Sequence, residues 1–391
     1  MNEPIVRIAA RGDGVTPSGR HVPFGVPGDA VLDDGALAFG AHHQEPPCRH
    51  FPECGGCQLQ HADDDAYREY LRSRLEIALA QHDVSTEIRE PHLSPPNSRR
   101  RATLKALKAG DSVLIGFNAE KSHRVIDMRE CHILLPELFA LVQPLRELLR
   151  DMLRPKRVAE IQLTLVDRGV DLLMRGVPAG RLTEIEQLTS FAQDHELARL
   201  SVDRGLGSDI IYEPAPATVT LSGKPVAFPP GGFLQATEDG ETALIDAVGE
   251  AVMGSAAIAD LFAGLGTFAL AVRASYAAEA SRDGAASLKS AAPSMTVEHR
   301  DLYRRPLDAR ELKRFDAVIL DPPRAGAQEQ IDALGRSAVR RIAYVSCNPA
   351  TFARDARILV DGGYLLDWVR PVGQFRWSTH VELAGCFSHG G

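Results

Sequence analysis

The stretch "AAIADLFAGLGTF", residues 256–268, decides the fold. A short apolar run stops at the acid Asp260. Gly264 and Gly266 then permit a tight turn with close backbone approach, and a helix-like pattern follows. "DAVILDPP" (316–323) and "RIAYVSCN" (341–348) repeat the scheme, each an apolar run, a polar stop and then a helix. Such alternation predicts an α/β fold, a mostly parallel, doubly wound sheet with helices on both faces. It starts near "FLQATEDGETALIDAVGEAVMG", residues 233–254, so this domain is placed at 231–391.

The rest of the chain reads differently. Residues 1–45 are rich in Gly, Val and Pro, and "GDGV" and "PFGVPGDAVL" predict turns and strands of a short β module. "PPCRHFPECGGCQLQH" (46–61) is a loop by its Pro and Gly content. In "DDDAYREYLRSRLEIALAQHD" (63–83), Tyr67, Leu71, Leu75, Ala78 and Leu79 recur at helical spacing. Between about 100 and 230 the runs are β-rich, and "DRG" in "RVAEIQLTLVDRGVDLLMRG" marks a hairpin turn. Residues 46–230 are therefore assigned to a central α+β domain.

A length of 391 residues fits two to three domains, and 44% hydrophobic with 25% charged residues fits a globular protein. No apolar run of about 18 residues appears, and the start lacks a basic-then-apolar leader. The expectation is a cytoplasmic monomer with no membrane partner. The net charge of -8 argues against nucleic acid on average. Locally, eight Lys/Arg against three acids between residues 99 and 129 form a basic segment that can hold phosphates. A solvated charged face is the plainer explanation.

Ligands of open parallel sheets bind beyond the carboxyl ends of the strands. Asp260, Asp321 and Cys347 all stand there. The turn at 264–266 lacks the third glycine of the dinucleotide fingerprint, so NAD is not favoured. Glu279, 19 residues after Asp260, is placed to meet a ribose. Asp-Pro-Pro after an apolar strand is similar to the loop by which amino-methyltransferases hold a flipped base, but Arg324 replaces the aromatic residue. Cys347 precedes a helix whose N-terminus favours a thiolate. In "STHVELAGCF", His380 and Glu382 share one face of a final strand, and Glu382 can serve as a base. Cys48, Cys54 and Cys57 form C-x5-C-x2-C, with Cys131 further on. Four thiols suit zinc or an iron–sulfur cluster, and His50 and His61 keep zinc open.

Together, "DLFAGLGTF", "DPPRAG", "SCNPATFARD", the terminal "HVE" and the cysteine pattern resemble the iron–sulfur-containing, S-adenosylmethionine-dependent RNA uracil-5-methyltransferases, which include bacterial 23S ribosomal RNA enzymes. The resemblance runs from about residue 46 to the end and implies a Rossmann-like class I methyltransferase domain. It implies a [4Fe-4S] cluster on Cys48, Cys54, Cys57 and Cys131. Donor-binding positions would be Gln235 (in "GGFLQ"), Phe262, Thr267, Glu279, Asp301 and Asp321, with Cys347 as nucleophile and Glu382 as base. The N-terminal module resembles a shortened TRAM barrel. Thr267 stands where relatives often have Asn, and "QFRWSTHVE" replaces a more usual F-P-x-T-x-H-x-E. The substrate implied is an unpaired uridine of RNA, 23S rRNA first, with tRNA as the alternative. Two other readings stay open: an N-methyltransferase that leaves Cys347 and Glu382 idle, and an inactive methyltransferase fold that binds RNA through a cluster or zinc.

Overall fold

The three apolar runs form the middle of a nine-stranded sheet. The computed structural model describes residues 2–390. Seven strands make up most of this sheet: β1 (Ile258–Leu261), β2 (Tyr276–Glu279), β3 (Thr296–His299), β4 (Ala317–Leu320), β5 (Arg341–Ser346), β6 (Tyr364–Gly373) and β7 (Glu382–His389). Their spatial order is β3-β2-β1-β4-β5-β7-β6. The first five are parallel, and β7 runs antiparallel between β5 and β6. The order reverses between β1 and β4, which opens a crevice at their carboxyl ends.

Burial on both faces explains the unbroken apolar runs. Alternate residues serve different cores. Ile258, Ala317, Ile319, Ala343 and Val345 face one cluster, with the helix Glu238–Ala251. Ala259, Leu261, Val318, Leu320, Ile342 and Tyr344 face the other, with the helices Asp64–Ala80 and Pro349–Asp361. The expected Rossmann-like α/β architecture is observed.

The central region holds a six-stranded sheet. Ser112–Gly116, Arg101–Ala109, Val158–Val166 and Gly169–Arg175 pair antiparallel in that spatial order, and Arg199–Asp203 then joins parallel. Val166 pairs with Gly169, so Asp167 and Arg168 form the hairpin turn expected at "DRG". The helices Val142–Met152 and Leu182–Asp194 pack on one face of the sheet. Residues 3–38 form two small three-stranded sheets, pinned by the buried Asp29, which accepts from Val26 N–H (2.9 Å) and Gly40 N–H (2.7 Å).

Packing does not follow the expected division at 46–230. The helix Asp64–Ala80 lays Leu75, Ala78 and Leu79 into the C-terminal core. Glu87–Ile88 and His92–Leu93 extend the C-terminal sheet alongside β6. The hairpin Thr218–Leu221/Lys224–Ala227 inserts Val219, Leu221 and Val226 into the core on the other face of that sheet. Residues 64–93 and 218–227 thus pack with the methyltransferase-like sheet. No described helix is long and apolar enough to cross a membrane.

Candidate active site

The crevice gathers most of the residues that the sequence singles out. Asp321 follows β4, Cys347 follows β5, and Glu382 opens β7. Ser346 pairs with Leu383 across the antiparallel β5–β7 ladder, which sets Cys347 beside Glu382. Asn348 caps the next helix by accepting from Ala350 N–H (3.1 Å), and its amide also donates to Arg324 C=O (3.2 Å). The residue after the cysteine therefore ties the β5 turn to the Asp-Pro-Pro turn.

Electrostatics differ from expectation at the cysteine. The Cys347 thiol is pushed up to about 11, first by burial and then by the charges of Glu382 and Asp321, while Arg324 pulls the other way. The helix N-terminus is outweighed. Burial lifts Glu382 to about 7, opposed by a hydrogen bond from Gln374 and by Arg101. Asp321 is raised well above the carboxylate range by burial and by Glu382, Asp260 and Glu279. Asp260 rises to about 8, mainly by burial, with Ala269 N–H donating to it at 2.8 Å.

The donor-binding candidates lie around the same mouth. The Gln235 amide donates to Asp321 at 3.4 Å. Phe262 holds a left-handed φ of 65° in the glycine turn, and its ring lies 5.6 Å from that of Tyr303. Such a φ is strained for a bulky residue and points to a functional constraint. Thr267 begins the helix Thr267–Ala271 directly after Gly266. Both Glu279 oxygens accept backbone N–H groups, Gly264 at 2.8 Å and Ser281 at 2.6 Å, so this acid shapes the glycine turn. Asp301 stays local, accepting from Tyr303 N–H (3.0 Å) and pairing with Arg304 (3.4 Å).

Cys48, Cys54, Cys57 and Cys131 line one pocket with Phe117, Ile126 and other apolar residues. Burial, with mutual repulsion, raises Cys54 to about 11 and Cys57 to about 12. Metal cations would reverse that penalty by binding thiolates. The donor set fits a four-thiolate group. His50 also lines the pocket, its Nδ1 3.5 Å from Cys48 Sγ. His61 packs instead against Phe24, Phe51 and His43.

The basic segment is divided: Lys121, Arg124 and Arg129 are exposed, whereas Arg99 and Arg100 are turned into the protein. The Arg99 guanidinium lies over the Phe117 and Phe375 rings (5.7 and 5.1 Å), and buried Arg100 pairs with Glu241 (2.8 Å). Lys105 pairs with Glu160 (2.6 Å), and Lys121, Arg124 and Arg129 pair with Glu120, Glu53 and Asp127. Arg101 instead lies 4.4 Å from the centre of the exposed Phe233 ring and near Glu382. Gln374, Arg101 and Tyr303 are the site neighbours that sequence reasoning missed. Only the alternation of the strand Arg101–Ala109 could have flagged Arg101.

Residues 290–388 match the family model "tRNA (Uracil-5-)-methyltransferase". An RNA methyltransferase of Zymomonas mobilis, uncharacterised by its name, is 49% identical over 98% of this chain and 99% of its own. The 23S rRNA (uracil(1939)-C(5))-methyltransferase RlmD of Pectobacterium atrosepticum is 30% identical over 88% of this chain and 80% of its own. The chain belongs to the RNA uracil-5-methyltransferase family. The fold agrees: the tRNA (uracil-54, C5)-methyltransferase of Pyrococcus abyssi, solved with S-adenosyl-L-homocysteine, superposes with a TM-score of 0.77 at 23% identity, covering 99% of each chain.

Proposed function

We propose that the protein methylates C5 of a uridine in RNA, 23S ribosomal RNA in the first instance, with S-adenosylmethionine as donor. One observation carries this reading: Cys347, Asp321 and Glu382 stand at the ends of adjacent strands in one cleft, close enough for the charge of Glu382 to favour the protonated forms of the other two. Similarity to the rRNA enzyme over most of both chains favours rRNA as substrate.

Uracil C5 is too poor a nucleophile to take a methyl group unaided. As the Cys347 thiol gives up its proton to solvent water, its Sγ adds to C6 as the thiolate, which makes the ring an enolate nucleophilic at C5. Asp321, biased toward its protonated form by burial and by the charge of Glu382, is placed to hydrogen-bond the uracil edge where charge develops. The donor supplies an electrophilic methyl on a positively charged sulfur, and C5 takes that methyl. Glu382, near 7 and so suited to proton transfer at neutral pH, removes the C5 proton, and the Sγ–C6 bond breaks. Gln235, Phe262, Thr267, Glu279, Asp301 and Asp321 form the donor side of the cleft. The target uridine leaves its stack to enter, which favours an unpaired loop. Cys48, Cys54, Cys57 and Cys131 are assigned to a [4Fe-4S] cluster with a structural role, since the methyl transfer needs no electrons.

Mapping 5-methyluridine in rRNA and tRNA of a deletion strain, complemented with wild type, Cys347→Ala or Glu382→Gln, tests the reading. Wild type should restore one rRNA site. Cys347→Ala should restore none, and Glu382→Gln should lose at least about a hundredfold in rate. Full restoration by Cys347→Ala would sink it.

A further inference from the structure

We propose that Gln374 is a positioning residue whose amide, pinned by a backbone N–H, fixes the orientation of both Gln235 and Glu382 across the cleft. The inference rests on the proposed uracil chemistry for its Glu382 half. Gln374 follows β6 and is 2% exposed. Its Oε1 accepts from Ala236 N–H at 2.9 Å. A backbone N–H only donates, so the carbonyl end of the amide must face it. The Nε2 end is thereby turned to Gln235, donating to its Oε1 at 2.8 Å. That contact fixes the second amide in turn: the Gln235 Nε2 is left to face Asp321, 3.4 Å from Oδ2. One N–H thus sets the direction of two side chains in a row.

The other half concerns the base. Gln374 comes two residues after Val372, which pairs with Glu382 across the β6–β7 ladder, so its amide stands beside that carboxyl and favours its charged form. An NH2 group has two protons, enough for Gln235 and Glu382 together. The groups facing Glu382 are Arg101 from the strand Arg101–Ala109, Asp321 after β4, Cys347 after β5, and Gln374. Among these, only Gln374 and Arg101 favour the charged base.

The surroundings allow Gln374 little freedom. A Cβ at Gly240, in the first turn of the helix Glu238–Ala251, would come within 2.7 Å of the Gln374 Cβ, so the absence of a side chain there makes room for it. The following backbone is held by the Tyr67 hydroxyl, which donates to Phe375 C=O (3.0 Å) and Ser378 C=O (3.1 Å).

Gln374→Met keeps the length and removes every polar contact. Gln374→Glu keeps the shape but sets a carboxylate against Glu382 and Gln235. The readouts are the melting temperature, the pH profile of single-turnover methylation, the fraction of RNA trapped as covalent adduct, and S-adenosylhomocysteine affinity. In Gln374→Met the acid limb should move up by about one pH unit. It should move further in Gln374→Glu. The adduct fraction should rise in both, because proton removal lags thiol addition, and S-adenosylhomocysteine should bind several-fold more weakly. Folded variants with wild-type acid limb, adduct fraction and affinity would overturn the inference. Cys347→Ala in the same assay separates the two ideas: if it still forms 5-methyluridine, the uracil chemistry is wrong, while the affinity arm still reads the Gln374–Gln235 contact.

Discussion

Glu382 carries a stability consequence that its proposed catalytic role conceals. In the folded cleft it holds its proton up to about 7, whereas in the unfolded chain it releases it near 4.5. Between these values unfolding releases a proton, so raising the pH favours the unfolded state. Burying this carboxyl therefore costs nothing below about pH 4.5, and the cost grows until pH passes about 7. Glu382→Gln, neutral throughout, removes the cost. The ligand-free variant should melt about 2–4 °C above wild type at pH 8 and close to it at pH 5, by parallel calorimetric scans. Equal offsets at both pH values would contradict this account. Cys347 and Glu382 were legible because rare, chemically distinctive residues stood at strand ends. The thiolate expectation failed on magnitude: a helix N-terminus contributes roughly 0.3–1 kcal/mol, less than burial beside two carboxyl groups. Gln374 was illegible, since a glutamine acquires a role only from what fixes its amide.

At the scale of elements, the strand–turn–helix units were readable because each strand is buried on both faces and carries a polar residue at or next to its carboxyl end. Gly266 shows what such a turn demands. Its φ is +91°, and an added Cβ would lie 2.4 Å from Leu288 Cδ1 in the helix Arg282–Ala291. Gly266→Ala should lose about 2–4 kcal/mol in urea unfolding, combining left-handed strain with overpacking. S-adenosylhomocysteine affinity should fall too, because the turn precedes Thr267. A variant that unfolds with the wild-type midpoint would show that the turn relaxes freely. The strands Glu87–Ile88 and His92–Leu93 could not be read. Two residues carry no periodicity, and their pairing with β6 depends on partners almost three hundred residues away.

Across the whole molecule, the cysteine loop and the catalytic sheet are one mechanical unit. Gln58 N–H and Leu59 N–H both donate to Trp377 C=O, at 2.7 and 2.9 Å. Tyr70 donates to Thr379 C=O at 3.1 Å, and Arg376 pairs with Asp64. Arg99 bridges the thiol pocket and this segment by lying over Phe117, which lines the pocket, and Phe375. Composition could not reveal this, since Arg99 and Arg100 look like the rest of the basic segment yet join parts of the protein. Residues 374–380 are thus held from the cysteine side and deliver Gln374 and Glu382 on the other. Disrupting the pocket should loosen them. Cys54→Ser, purified anaerobically, should lose the broad visible absorbance expected of the proposed cluster and show faster hydrogen exchange at 374–380 than wild type. The five parallel strands should remain protected, because their cores contain no part of the cysteine pocket. Methylation should fall with the exchange protection, through slower proton removal by a less well held Glu382. If the cluster is absent while exchange at 374–380 stays at the wild-type rate, the mechanical link is wrong, and the thiol pocket must act on RNA by a separate route.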